Sequence, residues 1–269
     1  MTRIRRFRKS VRAACTAGVV LCLGGLASPP AGAWSDETRL QMVEDATRLS
    51  PPALQRVFER YRRYLLRGMS TRLPEAEAGH FQNPDGSGRL VDAAAASIQE
   101  ATAALRDRES LRRIAYRMGR VAHLVGDLNF PLASSDSDPR ESLYAEDFAL
   151  YIDRMLPKYR RTLERREPLG LDALPLRDWA QTAVERAREL YDPIGRSYWV
   201  NDTLVNSSTF DVRSMPFGIG ALAYSRSVSD LAQTWTTIWR LAGGDASGAL
   251  YEKLLREAES ETDTRNPQR

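Results

Sequence analysis

From Trp34 almost to Gly243 the apolar residues return every three or four positions, and no stretch alternates for long enough to make a half-buried strand. A stripe with that period must be buried against another helix when no sheet is signalled, so the chain is committed to helices packed on helices. The expectation is an all-α fold, one multi-helix domain over residues 34–243. Ser50 before Pro51 reads as a cap with proline in the first turn, and Leu54, Val57, Phe58, Tyr61 and Leu65 then share a face until Gly68 offers a stop. A polar loop from Ser70 to Gly88 precedes a small-faced helix from Ala93 to Leu105. Next comes a helix from Leu111 to Phe130, ended by Pro131. After a second loop, Ser134 to Arg140, a helical run reaches Tyr159 with a kink at Pro157. Trp179, Ala183 and Leu190 mark another helix, and residues 192–217 read as irregular. Leu222, Val228, Leu231, Trp235, Ile238 and Trp239 form the most regular stripe, closed by Gly243-Gly244, and residues 244–269 read as a C-terminal helix and polar tail. Four tryptophans, Trp179, Trp199, Trp235 and Trp239, are expected as core anchors.

The first 33 residues follow a different logic. Arg3, Arg5, Arg6, Arg8, Lys9 and Arg12 form a basic head without an acid, followed by an apolar stretch from Ala13 to Ala27 and the small residues Ala31-Gly32-Ala33. This is the pattern of a signal peptide cut before Trp34; the stretch is too short and Gly-rich to span a bilayer. An exported protein, periplasmic or extracellular, is expected. Removing the head leaves 33 basic side chains against 35 acidic ones, so the formal +4 of the whole chain becomes −2. Net charge therefore implies no broad nucleic-acid surface. Both cysteines, Cys15 and Cys22, fall in the segment to be removed, and the mature chain must be stabilised by packing rather than by a disulfide.

The chain has two histidines, His80 and His123. Asp127 follows His123 by four residues, which puts an imidazole and a carboxylate on one helix face, within reach of a shared metal ion or hydrogen bond. A Gly-rich phosphate loop, a metalloprotease helix motif and a serine elbow are all missing.

Residues 113–133, RIAYRMGRVAHLVGDLNFPLA, resemble the segment of bacterial zinc-dependent phospholipases C and the related single-strand nucleases that reads approximately LG-x-x-LHYLGD-x-x-QPMHA, with Gly119, His123, Gly126, Asp127, Asn129 and Pro131 in register. Upstream, Gly79-His80-Phe81-Gln82-Asn83-Pro84-Asp85-Gly86 resembles the family's SHFYDPDNG loop, and Trp34-Ser35-Asp36-Glu37 resembles its mature N-terminus, WSAE. The stripe from Leu222 to Gly243 is similar to the family's C-terminal helix. The resemblance implies that fold and a zinc site in which His80, His123, Asp127 and the main-chain amine and carbonyl of Trp34 are ligands. Glu37 falls on an acid that meets a choline head group.

The family's three-zinc ligand set is depleted here. Arg39 stands where the first helix should carry a histidine, and Ala133 where QPMHA carries another. The family's later His–Glu pair falls on Glu141 and Ala145, or on Ala145 and Ala149, and the aspartate before the loop histidine has no clear match among Leu73 to Glu77. What survives is one site of two imidazoles and a carboxylate with an open position, a recognised arrangement for catalytic zinc. Arg39 would place a fixed positive charge near Asp127 and could grip a phosphate. Glu75 or Glu77 could replace the missing aspartate, and Asp136, Asp138 and Glu141 could rebuild an oxygen-rich second site; the plain alternative for each is a solvated loop acid.

The resulting expectation is an exported one-zinc phosphodiesterase acting on a phospholipid or related phosphoester. His80, His123, Asp127 and Trp34 would hold the metal, Asp127 and Arg39 would serve catalysis, and Glu37 and Arg39 would meet the substrate. Peripheral membrane contact would accompany such a substrate. The competing class is a catalytically silent binding protein on the same scaffold, and a nuclease is a third reading.

Overall fold

The computed structural model describes residues 34–71, 77–159 and 175–244. The expected signal peptide, Glu75, and the C-terminal helix and tail beyond Gly244 lie outside the described residues. Nine α-helices occur among the described residues: α1 (Asp36–Leu49), α2 (Pro52–Arg60), α3 (Arg62–Ser70), α4 (Leu90–Arg106), α5 (Leu111–Leu128), α6 (Ala145–Met155), α7 (Leu176–Arg188), α8 (Tyr191–Tyr198) and α9 (Met215–Leu241). The fold is all-α. Among the described residues the sheet content is one two-residue antiparallel pair, β1 (Trp199–Val200) with β2 (Thr203–Leu204).

α5 runs through the middle, packed by α3, α4 and α9, because its buried residues include Ile114, Met118, Val121, Val125 and Leu128 on one side and the small Ala115, Gly119 and Ala122 on another. The small side lets α3 approach to backbone contact. A Cβ on Gly68 would lie 1.9 Å from the Tyr116 carbonyl oxygen, and one on Gly119 would lie 2.0 Å from that of Leu65. α9 closes the other side, where the Trp235 indole donates to the Met118 carbonyl at 3.0 Å and its ring meets Phe58 at 4.5 Å. Among the described residues no helix is long and apolar enough to cross a membrane.

Several local expectations change. Ser50 ends α1 rather than capping α2, its hydroxyl donating to the Ala46 carbonyl at 2.9 Å while Pro51 takes the N-cap position. Gly68 lies inside α3 and serves close packing, and the chain breaks at Tyr61 instead. The segment read as irregular contains α8 and the β1–β2 hairpin, with Asn201 and Asp202 in left-handed backbone at its tip. α8 is eight residues long with a proline at its third position, too brief to leave a periodic signal. Trp179 and Trp235 are core residues as expected, but Trp199 and Trp239 are half-buried and Leu222 is exposed, its place in the core taken by Ala223 and Tyr224. Pro157 ends α6 in a single 3-10 turn, Leu156–Lys158.

Candidate metal centre

The centre is assembled from a loop and from the last turns of α5. His80 closes a 3-10 turn, Glu77–His80, and the loop after it is tied down at both edges. The Gln82 amide donates to the Ala133 carbonyl at 2.8 Å, and Arg188 donates to the carbonyls of Ser134 (2.8 Å) and Gln82 (3.1 Å). His123 and Asp127, one turn apart on α5, face that loop. His80 Nδ1 lies 2.9 Å from Asp127 Oδ2 and 3.2 Å from His123 Nε2, and the third edge, His123 Nε2 to Asp127 Oδ2, is 3.4 Å. Tetrahedral zinc, with ligands about 2.0–2.1 Å away, holds them about 3.3 Å apart, so the triangle has the size such an ion needs.

The chemistry of the donor atoms agrees. His123 Nδ1 is 2.6 Å from the Met69 carbonyl, which can only accept, so Nδ1 carries the proton and Nε2 presents its lone pair to the centre. Nε2 thus faces a carboxylate oxygen, and two acceptors at that distance call for a cation or for a proton from His80 between them. Burial, followed by the Arg39 charge, lowers His123 to about 4, so the ring is neutral at ordinary pH.

Asp127 is fully buried, and burial alone would raise its carboxyl. Arg39 and the two imidazoles outweigh that and hold it below the usual carboxylate range. Arg39 Nη2 donates to Asp127 Oδ1 at 2.7 Å, while Nε donates to the Trp34 carbonyl (3.0 Å) and Nη1 to the His123 carbonyl (3.2 Å). With the side chain 5% exposed, each of its three nitrogens has an acceptor inside the protein. Asp127 therefore divides its oxygens, one for the guanidinium and one for the two rings.

No protein-family model matches the chain, and no curated protein matches it in sequence. Solved structures do match. The alpha toxin of Clostridium absonum matches with a TM-score of 0.57 and 15% identity, over 79% of this chain and 64% of the toxin. The Clostridium perfringens alpha-toxin from avian strain SWCP gives 0.56 and 12% identity over 81% and 68%. The fold is similar to that of clostridial alpha-toxins. At these identities the likeness is one of architecture, and the chain spans 64% of the length of the first toxin.

Within this alpha-toxin-like fold, His80, His123, Asp127, Arg39 and Trp34 come together. Trp34 is buried, its indole donating to the Gly126 carbonyl at 2.8 Å and its ring 4.7 Å from Phe130. Glu37 is not brought in; it is exposed on the first turn of α1. Asp136, Asp138 and Glu141 build no second metal group among the described residues, where the His80, His123 and Asp127 set is the one grouping of three or more potential ligands. Asp138 is engaged by Arg140 and the Tyr144 hydroxyl, and Glu141 Oε2 accepts from Tyr191 at 2.6 Å. Burial, with Asp138 and Asp136 adding to it, raises Glu141 to about 7. The Glu77 side chain lies outside the described residues.

Sequence reasoning missed Met69, whose contribution is a backbone oxygen and leaves no trace in residue type. It also missed Asp153 on α6, which accepts at Oδ1 from the hydroxyls of Ser35 and Thr38 and pins the entry to α1 beside Trp34. Ser35 caps α1 through a hydrogen bond from the Thr38 amide, a signal that was available as a serine before an acidic first turn.

Proposed function

We propose that this chain is an exported phosphodiesterase that binds one zinc ion on His80, His123 and Asp127 and cleaves a phospholipid or related phosphoester. The observation that supports it is the convergence of two imidazoles from distant stretches with a buried carboxylate, at edges of 2.9, 3.2 and 3.4 Å. When bound, zinc lowers the pKa of a coordinated water toward about 7 and polarises a phosphoryl oxygen. The chain's own groups prepare the place. His123 offers Nε2 because the Met69 carbonyl holds its proton on Nδ1, and Asp127 offers Oδ2 because Arg39 holds Oδ1. His80 and His123 are 16% and 12% exposed against 0% for Asp127, so the two rings form the side by which a phosphoester would enter. Arg39, enclosed by its three acceptors, acts through its field, favouring negative charge on the reacting phosphate without gripping it. In a chain cut before Trp34 the α-amine would stand beside the same centre and add a second positive charge.

A second reading, a silent binding protein, is favoured by the guanidinium of Arg39, which already neutralises Asp127, and by edges short enough to be closed by a His80 proton alone. A nuclease on this scaffold is the remaining enzyme class. Elemental analysis separates the readings: about one zinc per chain is expected, falling in a His80→Ala, His123→Ala variant. Chelator-sensitive release of a chromogenic product is expected from phosphorylcholine or bis-phosphate esters. Metal-free protein, with melting unmoved by zinc and no turnover on phospholipid, nucleic acid or these esters, would establish the silent reading.

A further inference from the structure

The face formed by α2, α3 and the first half of α5 carries a concentration of positive charge unlike the rest of the described residues. Residues 52–70 and 111–120 hold nine arginines (56, 60, 62, 63, 67, 112, 113, 117 and 120) against one acid, Glu59. Beyond residue 33 the chain as a whole has more acids than bases, 35 against 33. Among the described residues, Glu44 pairs with Arg62 at 2.7 Å, and Glu100 and Glu109 pair with Arg117 at 3.1 and 3.4 Å. With Arg56 set aside, the other eight arginines less these four carboxylates leave a net of four positive charges among the described residues.

These charges are held on a rigid support. α3 and α5 meet backbone to backbone at Gly68 and Gly119, so the arginines of one helix keep a fixed position relative to those of the other. Tyr64 links the two rows. Arg63 lies 4.6 Å from its ring centroid and donates to its hydroxyl at 2.7 Å, and Arg112 of α5 approaches the same ring at 6.0 Å. Arg60 covers Tyr61 in the same way at 5.8 Å. Arg60, Arg63, Arg67, Arg112 and Arg113 are exposed.

We infer that this arginine–tyrosine face docks the protein on an anionic phospholipid surface. Two anionic polymers of phosphate compete for such a face, and the tyrosines decide between them. Binding single-stranded nucleic acid depends on aromatic faces open to bases, whereas Tyr61 and Tyr64 have guanidinium groups over theirs. What the face offers outward is guanidinium backed by ring, which suits the phosphate level of a bilayer interface. The face also leads to the candidate centre. Arg113, Tyr116, Arg120 and His123 recur every three or four residues along α5, and α3 ends at Met69 and Ser70, where the Met69 carbonyl meets His123. Docking here does not rest on the hydrolase reading, since it needs neither metal nor turnover.

The test is co-sedimentation of the full chain, processed as the cell leaves it, with vesicles of equimolar phosphatidylglycerol and phosphatidylcholine and with vesicles of phosphatidylcholine alone. Binding is expected on the first and not the second, and is expected to be released as salt is raised from about 0.1 M to about 0.5 M. An Arg63→Glu, Arg67→Glu, Arg112→Glu variant is expected to bind at least about tenfold more weakly. An Arg213→Glu variant, reversing an exposed charge ahead of α9, is expected to bind as the parent does. Should the triple variant fail to fold, Arg63→Gln and Arg67→Gln singly are each expected to weaken binding by about twofold to fivefold. The inference is overturned by equal loss in the Arg213 variant, by equal binding to both kinds of vesicle, or by a single-stranded oligonucleotide that binds this face more tightly than the anionic vesicle.

Discussion

A buried carboxylate survives only in company, and Asp127 has a different partner for each oxygen. Arg39 was legible as a charge near Asp127 because it occupies a ligand position in the family the sequence resembles, and the structure places it 2.7 Å away. Its commitment to the carbonyls of Trp34 and His123 was not legible, since backbone acceptors have no residue signature. Glu37 shows the opposite outcome: its position in a four-residue match suggested a pocket, but on α1 it points to solvent, while Arg39, two residues later and therefore on another side of the helix, points inward. Replacing Arg39 by methionine keeps the bulk and strands Asp127 without its cation. The expected cost is about 3 kcal/mol in thermal or denaturant unfolding of metal-free protein. Added zinc should restore more stability to Arg39→Met than to the parent, because Asp127 Oδ1 and the Trp34 carbonyl then lack a cation.

At the level of elements, the α3–α5 pair orders the centre. Met69 comes directly after Gly68, and its carbonyl sets which nitrogen of His123 carries the proton, so the ring depends on how closely the helices approach. Gly119→Ala would place a methyl 2.0 Å from the Leu65 carbonyl, and neither side of that contact is a flexible chain end. The expected outcome is a loss of about 2–3 kcal/mol on unfolding, together with about tenfold weaker zinc binding as the Met69 carbonyl is displaced. Gly218→Ala, with open space at its Cβ, is the control and should leave both unchanged. Periodicity predicted the long helices α4, α5 and α9 because each has enough turns to show a stripe. It mistook Gly68 for a stop because a glycine that ends a helix and one that admits a neighbouring backbone look alike in one dimension. α8 escaped for want of length.

For the whole molecule, stability depends on burying polar groups with partners, and Glu141 is a place where burial is incomplete. Burial and two neighbouring acids raise it to about 7, above its ordinary value. The folded protein therefore keeps a proton that the unfolded chain gives up. The stability tied to that proton is fully present below the unfolded pKa and is lost as pH rises through about 7. Glu141→Gln should remove this dependence. Melting curves at pH 5 and pH 8 should show the parent falling by about 2–4 °C relative to the variant, a shift of roughly 1 kcal/mol for a chain of this size with a partly solvated group. The all-α architecture was readable at this scale from the absence of alternation. The gathering of residues 34, 39, 80, 123 and 127 at one point was suggested by resemblance and became a geometry only when the loop after His80 was seen held by Ala133 and Arg188.

Arg39 also bears on how the protein matures. In a small metal-dependent domain the ion is the keystone, and the polypeptide stays unstructured until it arrives. Here the guanidinium is a counter-ion attached by covalent bonds, delivered by the ribosome with the rest of the chain. With the proposed zinc, assembly and metallation would thereby be uncoupled: the polypeptide would reach its final shape without metal and take on an ion later, as a finished receptacle.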